Sequence, residues 1–140
     1  MELLKKHAEK IRFGIVGAAN TALDFALLFL FVGLGVDKIP ANYISTGISF
    51  VFSFFVNKSF TFKSKTGNVK KQFILFIGVT IIGLWVIQPL IIGGVSNLLT
   101  TTGWAAGFIL FVAKIIATFA SLIWNYLFYS RIVFKKVEDK

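Results

Sequence analysis

The 140-residue chain has no cysteine, which excludes disulfides, thiolate catalysis and cysteine-ligated metals and leaves the redox compartment unspecified. Its single histidine, His7, precedes the first long apolar stretch and reads as a solvated side chain rather than a ligand. No glycine loop that could cradle a phosphate, no metal-ligand cluster and no nucleophile–base pair is present, so the chain reads as a non-enzyme without cofactor or metal. Charge is scarce as well, at 15% of residues, and acidic charge is scarcest: six Asp and Glu stand against fifteen Lys and Arg.

Apolar residues fill the space, at 56% of the chain with 17 phenylalanines, more than a soluble domain of this size can hide. Four stretches, 13–35, 40–57, 73–99 and 104–130, hold only two charges between them, Asp24 and Lys114. A bilayer core of about 30 Å takes about 20 helical residues, and spans near about 17 are tolerated, so each stretch can cross. The expected fold is an all-α polytopic membrane protein, a single transmembrane domain over 1–140 with almost no chain left for a soluble one. The first stretch exceeds the apolar core of a cleavable signal peptide, and no small-residue cleavage site precedes the loop at 33–40, so it is expected to remain in the mature protein.

Orientation follows from the basic residues, which accumulate on the cytoplasmic side. Lys5, Lys6, Lys10 and Arg12 precede the first span; Lys58, Lys63, Lys65, Lys70 and Lys71 separate the second from the third; Arg131, Lys135, Lys136 and Lys140 follow the fourth. Thirteen of the fifteen thus fall on one side, Lys38 on the other and Lys114 within a span. The chain is expected to have both termini in the cytoplasm, in one fixed orientation in the cytoplasmic membrane. The net charge of +9 reads as attraction to anionic headgroups, each basic residue contributing about 1 kcal/mol near the surface, and not as nucleic-acid binding.

Short outer connections make two in-out-in hairpins, joined by a longer basic loop. A weak repeat matches this division: Arg12-Phe13-Gly14-Ile15-Val16-Gly17 opens the first hairpin and Gln72-Phe73-Ile74-Leu75-Phe76-Ile77-Gly78 the second. Each also closes on an aromatic followed by lysine, at Phe62-Lys63 and Phe134-Lys135. A duplication of this kind gives halves related by an axis along the membrane normal.

Polar residues inside the spans are costly in hydrocarbon and must face protein, water or a ligand. In the second span Ala41, Ser45, Ser49, Ser53 and Asn57 recur at every fourth position, on one helical face. Such a face is either a packing seam of small residues or a polar path. The fourth span carries Lys114, Thr118, Ser121 and Asn125, and the first carries Gly17, Asn20, Thr21 and Asp24. The third has only Thr80 and Gln88 and is expected to be the most lipid-exposed. A lysine near mid-span costs roughly 2.5 to 3.5 kcal/mol on insertion scales, so Lys114 needs a partner or a purpose. At about 1.5 Å per residue, Asp24 lies about 16 Å from the inner surface and Lys114 about 15 Å from the outer one. A fixed Asp24–Lys114 ion pair and an anion-receiving Lys114 are both compatible with those depths. Arg12, Lys58 and Arg131 sit where spans meet the cytoplasm beside Phe13, Phe60, Phe62 and Phe134, a setting for headgroup anchoring or for a lipid phosphate whose tail needs an apolar wall.

Arg12-Phe13, Val16-Gly17, Asn20-Thr21 and Asp24-Phe25 together resemble the opening of the GtrA-like family of small polytopic membrane proteins. Asn57-Lys58-Ser59-Phe60-Thr61-Phe62 resembles its second signature, and Lys114, Asn125 and Arg131-Ile132-Val133-Phe134 its third. The resemblance covers nearly the whole chain, with a departure at Gln72, where the family often has arginine. It implies movement of a polyprenyl-phosphate-linked monosaccharide, such as an undecaprenyl-phosphate sugar, across the membrane for cell-surface polysaccharide or teichoic acid glycosylation in the cell wall. A polyprenyl-phosphate glycosyltransferase is the implied functional partner, and a homodimer is compatible with the small volume that four helices enclose. The expected contacts to lipid phosphate and sugar are Arg12, Asn20, Asp24, Asn57, Lys58, Lys114, Asn125 and Arg131. Two other functions fit a small four-span protein: a non-transporting subunit of such a glycosyltransferase, and a cation-coupled exporter using Asp24.

Overall fold

A computed structural model describes residues 1–135; Lys136 and Lys140, counted above among the cytoplasmic charges, lie outside the described residues. All regular structure among the described residues is helical, and four segments are long and apolar enough to cross a bilayer: His7–Gly33, Lys38–Thr61, Val69–Thr102 and Ala106–Val133. The chain is a multi-pass membrane protein. Its helices form two compact units, Met1–Gly67 and Asn68–Lys140, each a helical hairpin.

In the first hairpin α1 (Glu2–Gly33) ends where Leu34 N–H returns to the Leu30 carbonyl at 3.0 Å, and Gly35, at φ +94°, turns the chain. Helix α2 (Lys38–Val56) then starts after Asp37, with Pro40 in its first turn, where a missing N–H is harmless. Instead of ending at Val56, the helix widens into a π turn, Asn57–Thr61, closed by Phe62 N–H on the Asn57 carbonyl at 2.9 Å. The every-fourth-residue face of α2 packs on α1: Ala41, Ser45 and Ser49 are buried, and so is Asn57. Small side chains bring the two helices together.

The second hairpin begins at α3 (Val69–Ile82), capped by the Asn68 side chain accepting from Lys71 N–H at 3.2 Å. A π turn, Gly83–Ile87, interrupts the span before α4 (Gln88–Leu99). Pro89 lies just beyond that turn; it has no N–H for the preceding turn and its ring crowds it, and the wider π turn relieves both. A short 3₁₀ turn, Thr100–Thr102, and Gly103 at φ +77° lead into α5 (Ala106–Phe128). Its buried seam is Ile109, Ala113, Ala117 and Ser121. It too ends in a π turn, Tyr129–Val133, closed by Phe134 N–H on the Tyr129 carbonyl at 2.8 Å.

The two closing π turns start at residues 57 and 129, 72 apart, and buried positions recur at that interval. Ala41 matches Ala113, Ser45 Ala117, Ser49 Ser121, Asn57 Tyr129, Thr61 Val133 and Phe62 Phe134. On the preceding helices Arg12 and Gln72 are 60 apart, as are the buried Val16 and Phe76. The weak sequence repeat is therefore a structural one, with the same seam and the same end in both halves.

Exposure differs from the sequence expectation in one respect. The barest span is the first, not the third: among the described residues α1 buries only Val16, whereas the third span buries Gln72, Phe76, Val79 and Gly83. The cause is the aromatic cluster of the second hairpin. Phe76 stacks on Tyr129 with ring centroids 4.6 Å apart and meets Phe134 at 6.2 Å, which draws the third span under the end of α5. Large apolar side chains such as Phe25, Phe29, Phe55, Phe111 and Phe119 stand out from the hairpins, as lipid contact requires.

Candidate functional site

At the end of the first hairpin away from its connecting loop, the π turn aims the Thr61 carbonyl at α1. Arg12 donates to it from both Nε (3.3 Å) and Nη2 (3.1 Å). The guanidinium thus ties the start of the span to the end of α2, and Phe13 lies beside Phe62 with centroids 6.3 Å apart. Within the same turn the Asn57 side chain is buried; its Nδ2 donates to Ser53 Oγ at 3.2 Å while its Oδ1 has no partner. Lys58 occupies the next position of the turn, half-buried, so a second cation belongs to the same segment as Asn57.

Further along the hairpin Thr46 Oγ1 donates to Asp24 Oδ1 at 3.5 Å, the long limit of such a bond. Asp24 is half-buried. Helices running antiparallel between the Arg12–Thr61 and Asp24–Thr46 contacts place Asn20 level with the stretch from Ser49 to Ser53. Asn20 Oδ1 is buried without a partner, as are Ser49 Oγ and Thr61 Oγ1. Near the connecting loop a cavity of about 330 Å³ opens among Leu28, Phe29, Val32, Lys38 and Asn42. None of the residues expected from sequence lines it.

In the second hairpin the polar groups are largely spent on one another. The Thr80 hydroxyl is hydrogen-bonded to the Tyr129 hydroxyl and also donates to the Phe76 carbonyl at 2.7 Å. Gln88 Nε2 donates to Ser121 Oγ at 2.8 Å, and Trp124 Nε1 donates to the Val79 carbonyl at 3.0 Å. Asn125 is half-buried with Oδ1 unpartnered, facing Gly83, where an added Cβ would come within 2.9 Å of it. Lys114 is exposed on α5, eight residues or roughly 12 Å into the span. Arg131 is exposed in the closing π turn.

The structure gathers Arg12, Asn57 and Lys58 at one end of the first hairpin, with Asn20 and Asp24 further along it. Lys114, Asn125 and Arg131 are spread along α5 and its closing turn. Sequence reasoning missed Thr61, whose carbonyl anchors Arg12, and Tyr129 and Trp124, which join α5 to the third span. The spacing between the two Phe-Lys closings would have exposed Tyr129, since it aligns that tyrosine with Asn57. Among the described residues no group of three His, Asp or Glu is placed to hold a metal ion.

Residues 12–134 match the family model described as GtrA/DPMS, transmembrane domain. The chain is also 28% identical over 116 residues to an uncharacterized membrane protein, YngA, of Bacillus subtilis (strain 168), a match covering 83% of this chain and 72% of that protein. The family match begins at Arg12 and ends at Phe134, so it takes in both hairpins and both closing π turns: the chain belongs to the GtrA/DPMS transmembrane-domain family.

Proposed function

We propose that the protein translocates a polyprenyl-phosphate-linked monosaccharide across the cytoplasmic membrane, for glycosylation of a cell-surface polysaccharide or teichoic acid. Membership of the GtrA/DPMS family points to a membrane function connected with polyprenyl-phosphate sugars. The observation that carries the finer reading is Lys114, a cation exposed within a membrane-spanning helix. Such a charge is expensive in hydrocarbon, and an anionic group arriving at it offsets the cost.

In this reading both termini and the basic loop face the cytoplasm, and Arg12, Lys58 and Arg131 collect the lipid phosphate there. Arg12 keeps its orientation through Thr61, which leaves Nη1 as a donor for an oxyanion. Asn20, Asp24, Asn57 and Asn125 offer polar contacts to the sugar, Lys114 receives the phosphate in transit, and the prenyl tail stays in lipid. The protein contributes no covalent chemistry; a polyprenyl-phosphate glycosyltransferase supplies the loaded lipid.

The test is transbilayer movement of a polyprenyl-phosphate sugar in proteoliposomes, comparing wild type with Lys114→Ala. Movement with wild type and its loss in the variant, at equal protein incorporation, is the expected result. Equal movement in both would remove Lys114 from the route. No movement in either would favour a non-transporting subunit of the glycosyltransferase.

A further inference from the structure

The two hairpins are built on one frame, and their matched positions treat polar groups in opposite ways. At the position of Asn57 the second hairpin has Tyr129, and at the position of Asn20 it has Thr80; those two hydroxyls pair with each other. At the position of Ser49 it has Ser121, which accepts from Gln88. The second hairpin thus closes these three rungs internally, and among its described residues Asn125 Oδ1 alone is left open.

In the first hairpin the same rungs are open. Asn20 Oδ1, Ser49 Oγ, Asn57 Oδ1 and Thr61 Oγ1 are buried and have no partner, four of the five such side-chain atoms among the described residues. Ser49, Asn57 and Thr61 are 2%, 3% and 0% exposed, so bulk water does not serve them. An unmet buried oxygen is costly anywhere and more so in a bilayer, where no solvent competes to satisfy it. The open rungs lie between two ties, Arg12 to Thr61 and Thr46 to Asp24, on helices joined by small side chains.

We infer that the first hairpin is the half that recognises the carried headgroup, its row of unpartnered oxygens accepting hydrogen bonds from the hydroxyls of a sugar as α1 and α2 part between those ties. The second hairpin, whose matched rungs are paired, contributes Lys114 and Arg131 for the phosphate. The chemistry favours the sugar: Asn20 Oδ1 and Asn57 Oδ1 accept and cannot donate, which suits sugar hydroxyls and repels phosphate oxygens, and the Ser49 and Thr61 hydroxyls can accept alongside them. Phosphate is left to the cations, of which Arg12 closes the row at one end. This assignment rests on the translocation reading, and it adds which hairpin senses the sugar.

The experiment measures binding of a polyprenyl-phosphate monosaccharide and of the bare polyprenyl phosphate to purified protein in detergent, together with thermal stability. Wild type should favour the sugar-bearing lipid. Asn57→Ala, Thr61→Val and Ser49→Ala should each reduce that preference by roughly three- to tenfold, the worth of one hydrogen bond. Thr61→Val and Ser49→Ala should leave the melting temperature unchanged or higher, because each removes an unmet polar atom; Asn57→Ala also loses its bond to Ser53 and is read by the lipid preference alone. Tyr129→Phe and Gln88→Leu should do the reverse, lowering the melting temperature and leaving the preference intact.

A wild type that binds both lipids equally overturns this inference and leaves lipid-phosphate binding standing. Binding of neither lipid overturns the inference and the translocation reading together. First-hairpin variants that melt earlier with the sugar preference unchanged would show that the oxygens serve packing or trapped water, and they also overturn it.

Discussion

Replacing Arg12 with lysine separates the geometry of this side chain from its charge. Arg12 presents Nε and Nη2 to one carbonyl, that of Thr61, at 3.3 and 3.1 Å, across a half-buried junction between the start of the span and the π turn. Lysine keeps the positive charge but brings a single nitrogen, so one of two charge-assisted bonds is lost. Such bonds contribute about 1.5 to 3 kcal/mol each when desolvated. Partial exposure lowers that, and the expected cost of Arg12→Lys is about 1 kcal/mol, with about 2 kcal/mol for Arg12→Gln, which also loses the charge. A cost of about 1 kcal/mol is roughly a fivefold change in the ratio of folded to unfolded protein. Reversible denaturant unfolding of the purified protein in mixed micelles measures it, and hydrogen exchange at Phe62 and Ser64, whose amides close the turn, localises it. The order wild type, lysine, glutamine is expected. A lysine variant as stable as wild type, with unchanged protection at those two amides, would refute the view that the fork holds the turn.

Gly83→Ala should destabilise the second hairpin by about 1 to 2 kcal/mol, because the new Cβ would lie 2.9 Å from Asn125 Oδ1 and 3.3 Å from Trp124 Cδ1. In an Asn125→Ala background most of that cost should vanish, and a double-mutant cycle in the same unfolding assay reads the coupling. Tyr129→Phe removes the hydroxyl bonded to Thr80 but keeps the stack on Phe76; since Thr80 retains the Phe76 carbonyl, the loss should be about 0.5 to 1.5 kcal/mol by thermal unfolding. The chain has no cysteine, so a cysteine placed at Thr66 or at Thr101 is unique. With an impermeant maleimide added to intact cells, Thr101→Cys should be labelled and Thr66→Cys protected until the membrane is opened; the opposite pattern would invert the topology.

The helices and their pairing were legible because each span is long, apolar and nearly free of charge, and because the connections near Gly35 and Gly103 are too short for anything but an antiparallel return. The small-residue face of α2 was legible from its spacing. Its two readings were not separable, since a seam and a path use the same residues; the structure makes Ala41 and Ser45 seam and leaves Ser49 and Asn57 buried with oxygens to spare. The π turns were invisible: one added residue per turn leaves no signature in a run of apolar side chains. With them went the carbonyl of Thr61 as the partner of Arg12, because a regular helix would have pointed it elsewhere. Tyr129 was overlooked for a different reason. An aromatic at a membrane boundary has an ordinary explanation as an interfacial anchor, and only its alignment with Asn57 shows that it fills the place of a polar residue.

The spans of the two hairpins are unequal in length. His7–Gly33 and Lys38–Thr61 have 27 and 24 residues, whereas Val69–Thr102 and Ala106–Val133 have 34 and 28. At about 1.5 Å per residue, Lys38–Thr61 is about 36 Å long and Val69–Thr102 about 51 Å. The first of these lengths spans a hydrocarbon layer of about 30 Å with little to spare; the second must tilt within it or emerge from it. Bilayer thickness therefore acts on the spans unequally: thicker membranes strain Lys38–Thr61 first, while Val69–Thr102 takes up the change by standing more upright. A repeat whose copies agree in seam and closing turn has come to differ in the dimension that the lipid measures.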